Sequence, residues 1–325
     1  MNSPNTLRRR YSTTMIVLTL LTVTAMLVGS LCGAARMEWR QLLESDIFWQ
    51  LRLPRELLAL AVGAALAVSG AGYQSVFRNP LTDPYLLGVS SGASLGAAIA
   101  IIMGLESHPY GVGLMALATG LLTVVVIIRI ASTGGRLHST TLLLCGVCLT
   151  LMISAIVSFL MVMHHDKIDR IIFWTMGSLT AAAWSDVALV GSVAIIGIAI
   201  MLFYAKDLNL MLTGSETAES MGVDVERVKR LVLGVTTLMV AFAVASCGVI
   251  GFVGLIVPHS VRLIVGADNR HVLPASALAG ALLLLLCDTA ARSLFQPSEL
   301  PIGSLTALIG APLFIILIYR NKKRF

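Results

Sequence analysis

Leu231–Val261, LVLGVTTLMVAFAVASCGVIGFVGLIVPHSV, is the stretch on which the architecture turns. It runs 31 residues without a charge, whereas about 20 apolar residues cross the hydrocarbon core of a bilayer. That is too long for one span and short for two. Gly248, Gly251, Gly254 and Pro258 interrupt it, so a tight turn near 246–250 divides it into two helices. Eight further spans flank it at 15–35, 55–77, 86–105, 111–128, 141–163, 187–205, 272–290 and 301–319. The first follows Arg8, Arg9 and Arg10 and is 21 residues long. A signal-peptide core runs about 7–15 residues, so this stretch is read as a retained helix.

Charge decides whether the division is real. With it there are ten spans and both termini share one side. That side holds 16 of the 23 basic residues; the other holds 7, namely Arg36, Arg40, Arg52, Arg55, Lys167, Arg170 and Arg292. Without it the counts become 11 and 12. Cytoplasmic loops carry the lysine and arginine excess, which favours ten helices with cytoplasmic termini.

Composition agrees. Of 325 residues, 57% are hydrophobic and 12% charged, about half the charge of a soluble domain. This excludes a disordered chain, a nucleic-acid-binding surface and an ordinary water-soluble enzyme. Continuous apolar runs exclude a barrel, whose strands alternate. The expected fold is an all-α polytopic membrane protein, one transmembrane domain over 1–325. Its net charge of +6 is an orientation signal, not the mark of an acidic substrate.

Chemistry-bearing motifs are few. Cys32, Cys145, Cys148, Cys247 and Cys287 all lie in apolar runs, which predicts buried thiols rather than disulfides. Cys145 and Cys148 have metal-ligand spacing but no second pair, so no metal site is expected. His164, His165, Asp166 and Asp169 form a polar knot, read either as an interfacial loop or as a metal or haem-iron site. Charges deep within the spans are nearly absent; Asp288 is the exception, and Arg292 stands four residues on as a local partner. Gly88, Gly92 and Gly96, with Ala67 and Ala71, form small-residue stripes that let helices approach closely. None of the five lysines follows a glycine, so a phosphate-binding loop is absent. No catalytic set and no proton-relay chain stands in the spans. Uphill transport would draw its energy from another chain or an ion gradient.

The one long cytoplasmic segment is 206–230. Thr213 and Glu216 have capping-box spacing before a short helix, Thr217 to Met221, which Gly222 ends, and Asp224 caps the next helix. The segment is read either as an interfacial connector or as a docking element for a cytoplasmic partner.

Several long motifs stand in order across residues 50–320. They are Leu53-Pro54-Arg55, Gly63 to Gly70, Arg78-Asn79-Pro80-Leu81-Thr82-Asp83-Pro84, Leu87 to Ala93, Gly251 to His259 with Arg262, Glu299 to Gly303, and Gly310-Ala311-Pro312. Together they closely resemble the permease family of ABC importers for iron-siderophores, haem and vitamin B12, the type II importers.

The resemblance implies a homodimer in a bacterial cytoplasmic membrane, two cytoplasmic ATPase subunits that bind ATP and magnesium, and an extracytoplasmic binding protein. This chain itself would hold no cofactor. It further implies ATPase coupling through Leu212, Gly214, Ser215, Glu216, Ala218, Met221 and Gly222. Binding-protein docking would fall to Arg52, Arg55 and Arg292, with membrane-interface anchoring the competing reading for Arg52 and Arg55. The cytoplasmic gate would comprise Asn79, Leu81, Ser139 and Thr140. Met152, Ser154, Ser158 and Met161 are expected either to line the pathway or to pack helices. The rival class is a stand-alone ion-coupled secondary transporter, which would need ionisable groups at mid-membrane.

Overall fold

A computed structural model describes residues 4–32, 44–108, 110–133, 136–294 and 298–320, and these are helical almost throughout. Thirteen helices follow in chain order: α1 (Pro4–Leu31), α2 (Leu53–Val76), α3 (Val89–Ile102), α4 (Gly111–Ala131), α5 (Ser139–Met163), α6 (Ile168–Thr175), α7 (Trp184–Phe203), α8 (Ala205–Thr213), α9 (Ser215–Ser220), α10 (Val225–Cys247), α11 (Val253–Val265), α12 (Asn269–Ala291) and α13 (Ile302–Arg320). A two-residue ribbon, Ser132–Thr133 against Arg136–Leu137, precedes α5. Among the described residues, seven helices are long and apolar enough to cross a membrane: α1, α2, α4, α5, α7, α10 and α12. The apolar helices α3, α11 and α13 are shorter. Most expected spans lie within a few residues of observed helices, but α1 begins at Pro4, eleven residues before the expected start at 15, so Arg8, Arg9 and Arg10 lie inside the helix; 33–35 of that span, with Arg36 and Arg40, fall outside the described residues.

The 31-residue apolar stretch does divide. Gly248 adopts φ +70° and its N–H closes α10 on the Val244 carbonyl. A Cβ at Gly248 would overlap the Trp174 carbonyl, so only glycine serves here. The break meets two other chain segments backbone to backbone. Ser178 N–H donates to the Cys247 carbonyl, while Ile302 and Gly303 donate to Gly177 and Met176. Helix ends exposed by the break are thereby satisfied inside the bundle, as a low-dielectric surround demands.

α2 is the centre of the bundle. Of its most apolar window 78% is buried, against 11% for α1 and 22% for α5. It packs on α12 at a point where both helices carry glycine: a Cβ on Gly63 would overlap the Gly280 carbonyl, and one on Gly280 the Gly63 carbonyl. The stripe on α3 divides in role. Gly92 and Gly96 lie against Thr123 and Thr119 of α4, while Gly88 adopts φ +71° at the start of α3.

Two expectations need correction. Thr213 does not cap the short cytoplasmic helix; it ends α8, and its hydroxyl donates to the Leu210 carbonyl. Gly214 stands at the start of α9 with no side-chain cap. Cys148 is exposed on α5, whereas Cys247 and Cys287 are buried. Asp224 does cap α10, accepting from Arg227 N–H at 3.0 Å.

The glycine contact yields a test. Gly280→Val forces a side chain into the α2 backbone, and overpacking typically costs about 1–3 kcal/mol. Its melting temperature in detergent should fall clearly below that of Gly234→Val, where a Cβ meets nothing within 4 Å. Equal melting of the two variants would refute the contact.

Candidate functional site

Three groups of residues are candidate functional regions, one at each end of the bundle and one along α5.

At one end, three arginines and three carboxylates alternate. Arg55 Nη2 pairs with Asp288 Oδ1 at 2.9 Å, and its Nη1 reaches Glu299 Oε2 at 2.9 Å. Arg292 Nη2 donates to Glu56 Oε1 at 2.9 Å, with Asp288 3.7 Å from its Nε. Ser30 donates to Glu56, and Arg52 Nη1 donates to the Ser30 carbonyl. Thr180 donates to Glu299 at 2.9 Å. The cluster thus joins α1, α2 and α12 to the turn after α6 and the approach to α13. Its charges balance, which is what buried ions require.

Of the three arginines expected at a docking surface, Arg52 and Arg292 are turned inward, while Arg55 keeps a partly exposed side chain. Arg52 and Arg292 are only 6% and 5% exposed. Asp288 takes Arg55 as its close partner, with the expected neighbour Arg292 second. Glu56 and Glu299 were missed by sequence reasoning. Glu56 follows Arg52 at helical spacing, a signal available in the sequence.

Along α5, two adjoining cavities of about 350 and 390 Å³ share Ser90 and Thr150. Hydroxyls at Ser90 and Ser94 of α3 face Thr150, Ser154 and Ser158 of α5 across the smaller one. Each set repeats every four residues and so lies on one helix face. The larger cavity adds Asp83, Tyr85 and Phe252. Ser154 and Ser158 thus do line a cleft. Met152 is not among its lining and is 53% exposed, while Met161 packs against the small apolar cluster that includes Ile101, Ile153 and Val157. The α3 hydroxyls were missed, although Ser90 and Ser94 already show helical spacing.

At the opposite end, a cavity of about 300 Å³ brings Arg136, His138 and Ser139 at the start of α5 together with Ser215, Glu216 and Glu219 of α9. Leu137 N–H donates to Glu226 Oε2 at 2.8 Å, and Lys229 Nζ pairs with Glu226 Oε1 at 3.1 Å. Glu226 therefore ties the ribbon to the first turn of α10. Asn79 Oδ1 accepts from Leu81 N–H at 2.9 Å, and Leu81 is exposed, as is Thr140. Along 206–230, Met221 is exposed and Leu212 half-buried, but Ala218 is fully buried in the chain's own core. Ala218 anchors α9 rather than presenting a contact. α8 is anchored to α12 through Asn209, which donates to Asp268 and accepts from Asn269 N–H. The Arg270 guanidinium beside Asp268 holds that carboxyl down at about 2.

No three His, Cys, Asp or Glu side chains converge as metal ligands among the described residues. His164 Nδ1 lies 3.2 Å from the Leu160 carbonyl, and His165–Lys167 form a single turn before α6.

A polytopic helical bundle with a hydroxyl-lined cleft and a two-helix segment beside the start of α5 has the make-up of a membrane permease. The chain belongs to the FecCD transport family, which matches residues 13–320. It is 46% identical over 274 residues to the cobalamin import system permease of Halobacterium salinarum, covering 84% of this chain and 73% of that one. It is 39% identical over 325 residues to the hemin transport system permease of Yersinia pestis, covering 95% of each. Among solved structures, an inward-facing conformation of a metal-chelate type ABC transporter superposes with a TM-score of 0.86 at 36% identity, covering 95% of this chain and 99% of that one. A further structure, PsaBC from Streptococcus pneumoniae, shares the fold at TM-score 0.59 and 18% identity.

The charge cluster generates a direct test. Removing one partner of a buried ion pair typically costs about 3–5 kcal/mol, because the other is left uncompensated. Glu56→Ala should lower thermal stability in detergent markedly, and Glu56→Ala with Arg292→Met should recover much of the loss. Additive losses in the double variant would show that the pair is not coupled.

Proposed function

We propose that the chain is the membrane-spanning subunit of an ATP-driven importer that passes a bulky metal chelate, such as an iron-siderophore, haem or a corrinoid, from a binding protein to the cytoplasm. The seven long and three shorter apolar helices supply ten spans, with both termini cytoplasmic, in a bacterial inner membrane. Two copies enclose the pathway. Two ATPase subunits, which bind ATP and magnesium, dock on α8–α9 through Leu212, Gly214, Ser215, Glu216, Met221 and Gly222, with Ala218 holding the element in place.

The observation that carries this reading is the cavity shared by α9 and the start of α5. A push on α9 acts directly on Ser139 and, through the Glu226 tie to Leu137, on the ribbon that leads into α5. α5 is lightly packed and carries the hydroxyl cleft, so its inner end is the part free to tilt. Ser139 and Thr140, with Asn79 and Leu81, form the cytoplasmic gate. Closure of the ATPase pair moves α9, α5 follows, and access alternates with no covalent chemistry in this chain. Ser154 and Ser158 line the route.

At the outer face, Arg55 and Glu299 offer the accessible edge of the charge cluster to the binding protein, while the buried Arg52 and Arg292 hold that edge in shape. Carboxylates of the partner would exchange with Glu299 at the Arg55 guanidinium, whose planar fork suits them.

Reconstituted with its ATPase and binding protein, the chain should transport only with ATP. Glu226→Ala should leave ATPase assembly intact, keep ATP hydrolysis, and lower the substrate moved per ATP several-fold. Transport in proteoliposomes lacking any ATPase would contradict the importer reading and favour the stand-alone carrier. Unchanged coupling in Glu226→Ala would contradict the proposed route through Leu137.

A further inference from the structure

A separate cavity of about 560 Å³ lies between α4 and α7 over a floor made by α10. Its depth is apolar: Val112 and Leu117 of α4, Leu189 of α7, and Phe242 and Ala245 of α10. Its mouth is polar: Glu106, His108, Tyr110, Arg170 and Asp186, with Trp174 beside them. Arg170 pairs with Glu106, Tyr110 donates to Ser185 at 2.8 Å, and Asp186 accepts from Ala183 N–H.

Its position is lateral. Leu114 on α4 is 61% exposed and shares a helix face with exposed Val125; Leu189 on α7 shares one with Ile196 and Phe203, both exposed. These apolar faces run down from the two lips of the cavity, as the surface of a helix pair does where it meets hydrocarbon. Tyr110 and Trp174 stand where aromatic rings collect at a membrane–water boundary. An apolar slot open sideways under an ionic, aromatic rim fits one kind of occupant, a lipid with its chain in the slot and its headgroup at the rim.

The charges at the rim select the headgroup. Besides His108, the rim sets one guanidinium, Arg170, with two carboxylates, Glu106 and Asp186, so among its arginine and carboxylate side chains negative charge is in excess by one. A headgroup that brings both a phosphate for Arg170 and an ammonium for the carboxylates completes it. We propose that this cavity is a binding site for an ethanolamine phospholipid of the outer leaflet, seated between α4 and α7. The ammonium donates to the Glu106 and Asp186 carboxylates, the phosphate accepts from Arg170, and one acyl chain lies over Phe242 and Ala245. An anionic headgroup would leave the carboxylates facing like charge.

The test is native mass spectrometry of the chain released from nanodiscs that contain equal amounts of phosphatidylethanolamine and phosphatidylglycerol. The wild-type chain should retain one phosphatidylethanolamine several-fold in preference to phosphatidylglycerol. Ala245→Phe, which fills the floor, should lose the retained lipid. The rim variant Glu106→Gln with Asp186→Asn changes no apolar packing and keeps a helix-capping acceptor at 186. It should retain a lipid but lose the ethanolamine preference. Retention that Ala245→Phe does not reduce would overturn the site. Parity between the two lipids in the wild type, or a preference unchanged in the rim variant, would overturn the headgroup assignment.

Discussion

The contact between α2 and α12 is the constraint on which the rest depends. In the middle, Gly63 and Gly280 bring the two backbones together closely enough to exclude a Cβ on either side. At one end, Arg55–Asp288 and Arg292–Glu56 lock the same two helices. At the other, Ser75 and Arg262 both donate to Asn269 Oδ1, at 3.2 and 3.0 Å. Between helices in lipid the hydrophobic effect offers little, so close packing and polar locks must supply the attraction. Three locks along one helix pair make a rigid spine, and α1, α7, α10 and α11 attach to it.

What lies away from the spine is held more loosely. α5 packs on α3 and α4 rather than on the α2–α12 pair, and its buried residues are Leu142, Gly146, Ile153 and Val157. Its inner end is tied through short links, the ribbon and Glu226, to the neighbourhood of α9. This difference in packing gives a division of labour. In the proposed cycle the stiff pair fixes the frame, and α5, with hydroxyls along its cleft face, responds at its inner end. Low contact density is a physical reason for a segment to open before the core does.

Much of the fold was legible in the sequence because bilayer helices obey a length rule, and charge bias then arbitrated the ambiguous stretch. Gly248, with Gly251, Gly254 and Pro258 after it, marked the break in Leu231–Val261, and α10 ends one residue before Gly248. Short helices were harder. Thr213 and Glu216 fit a capping pattern, yet Thr213 completes α8 because its hydroxyl finds the Leu210 carbonyl first. The family resemblance pointed to the outer arginines but not to their partners: Arg55–Glu299 and Arg292–Glu56 each join segments more than 200 residues apart, and those pairings are tertiary facts. Burial likewise separated Ala218 from Met221 within one short element, where helical spacing alone leaves both as apolar contacts. The cleft hydroxyls were half seen, since α5 was read by itself and α3 faces it only in the folded chain.

The division between frame and moving helix is tested most directly by double electron–electron resonance on the chain assembled with its ATPase, using two pairs of spin labels. One pair, at Leu51 and Leu294, reports the outer ends of α2 and α12; the other, at Thr140 and Arg270, reports the inner end of α5 against α12. Between the nucleotide-free and ATP-bound states the first distance should stay fixed and the second should shift. A shift between Leu51 and Leu294 with Thr140 and Arg270 unmoved would contradict the account.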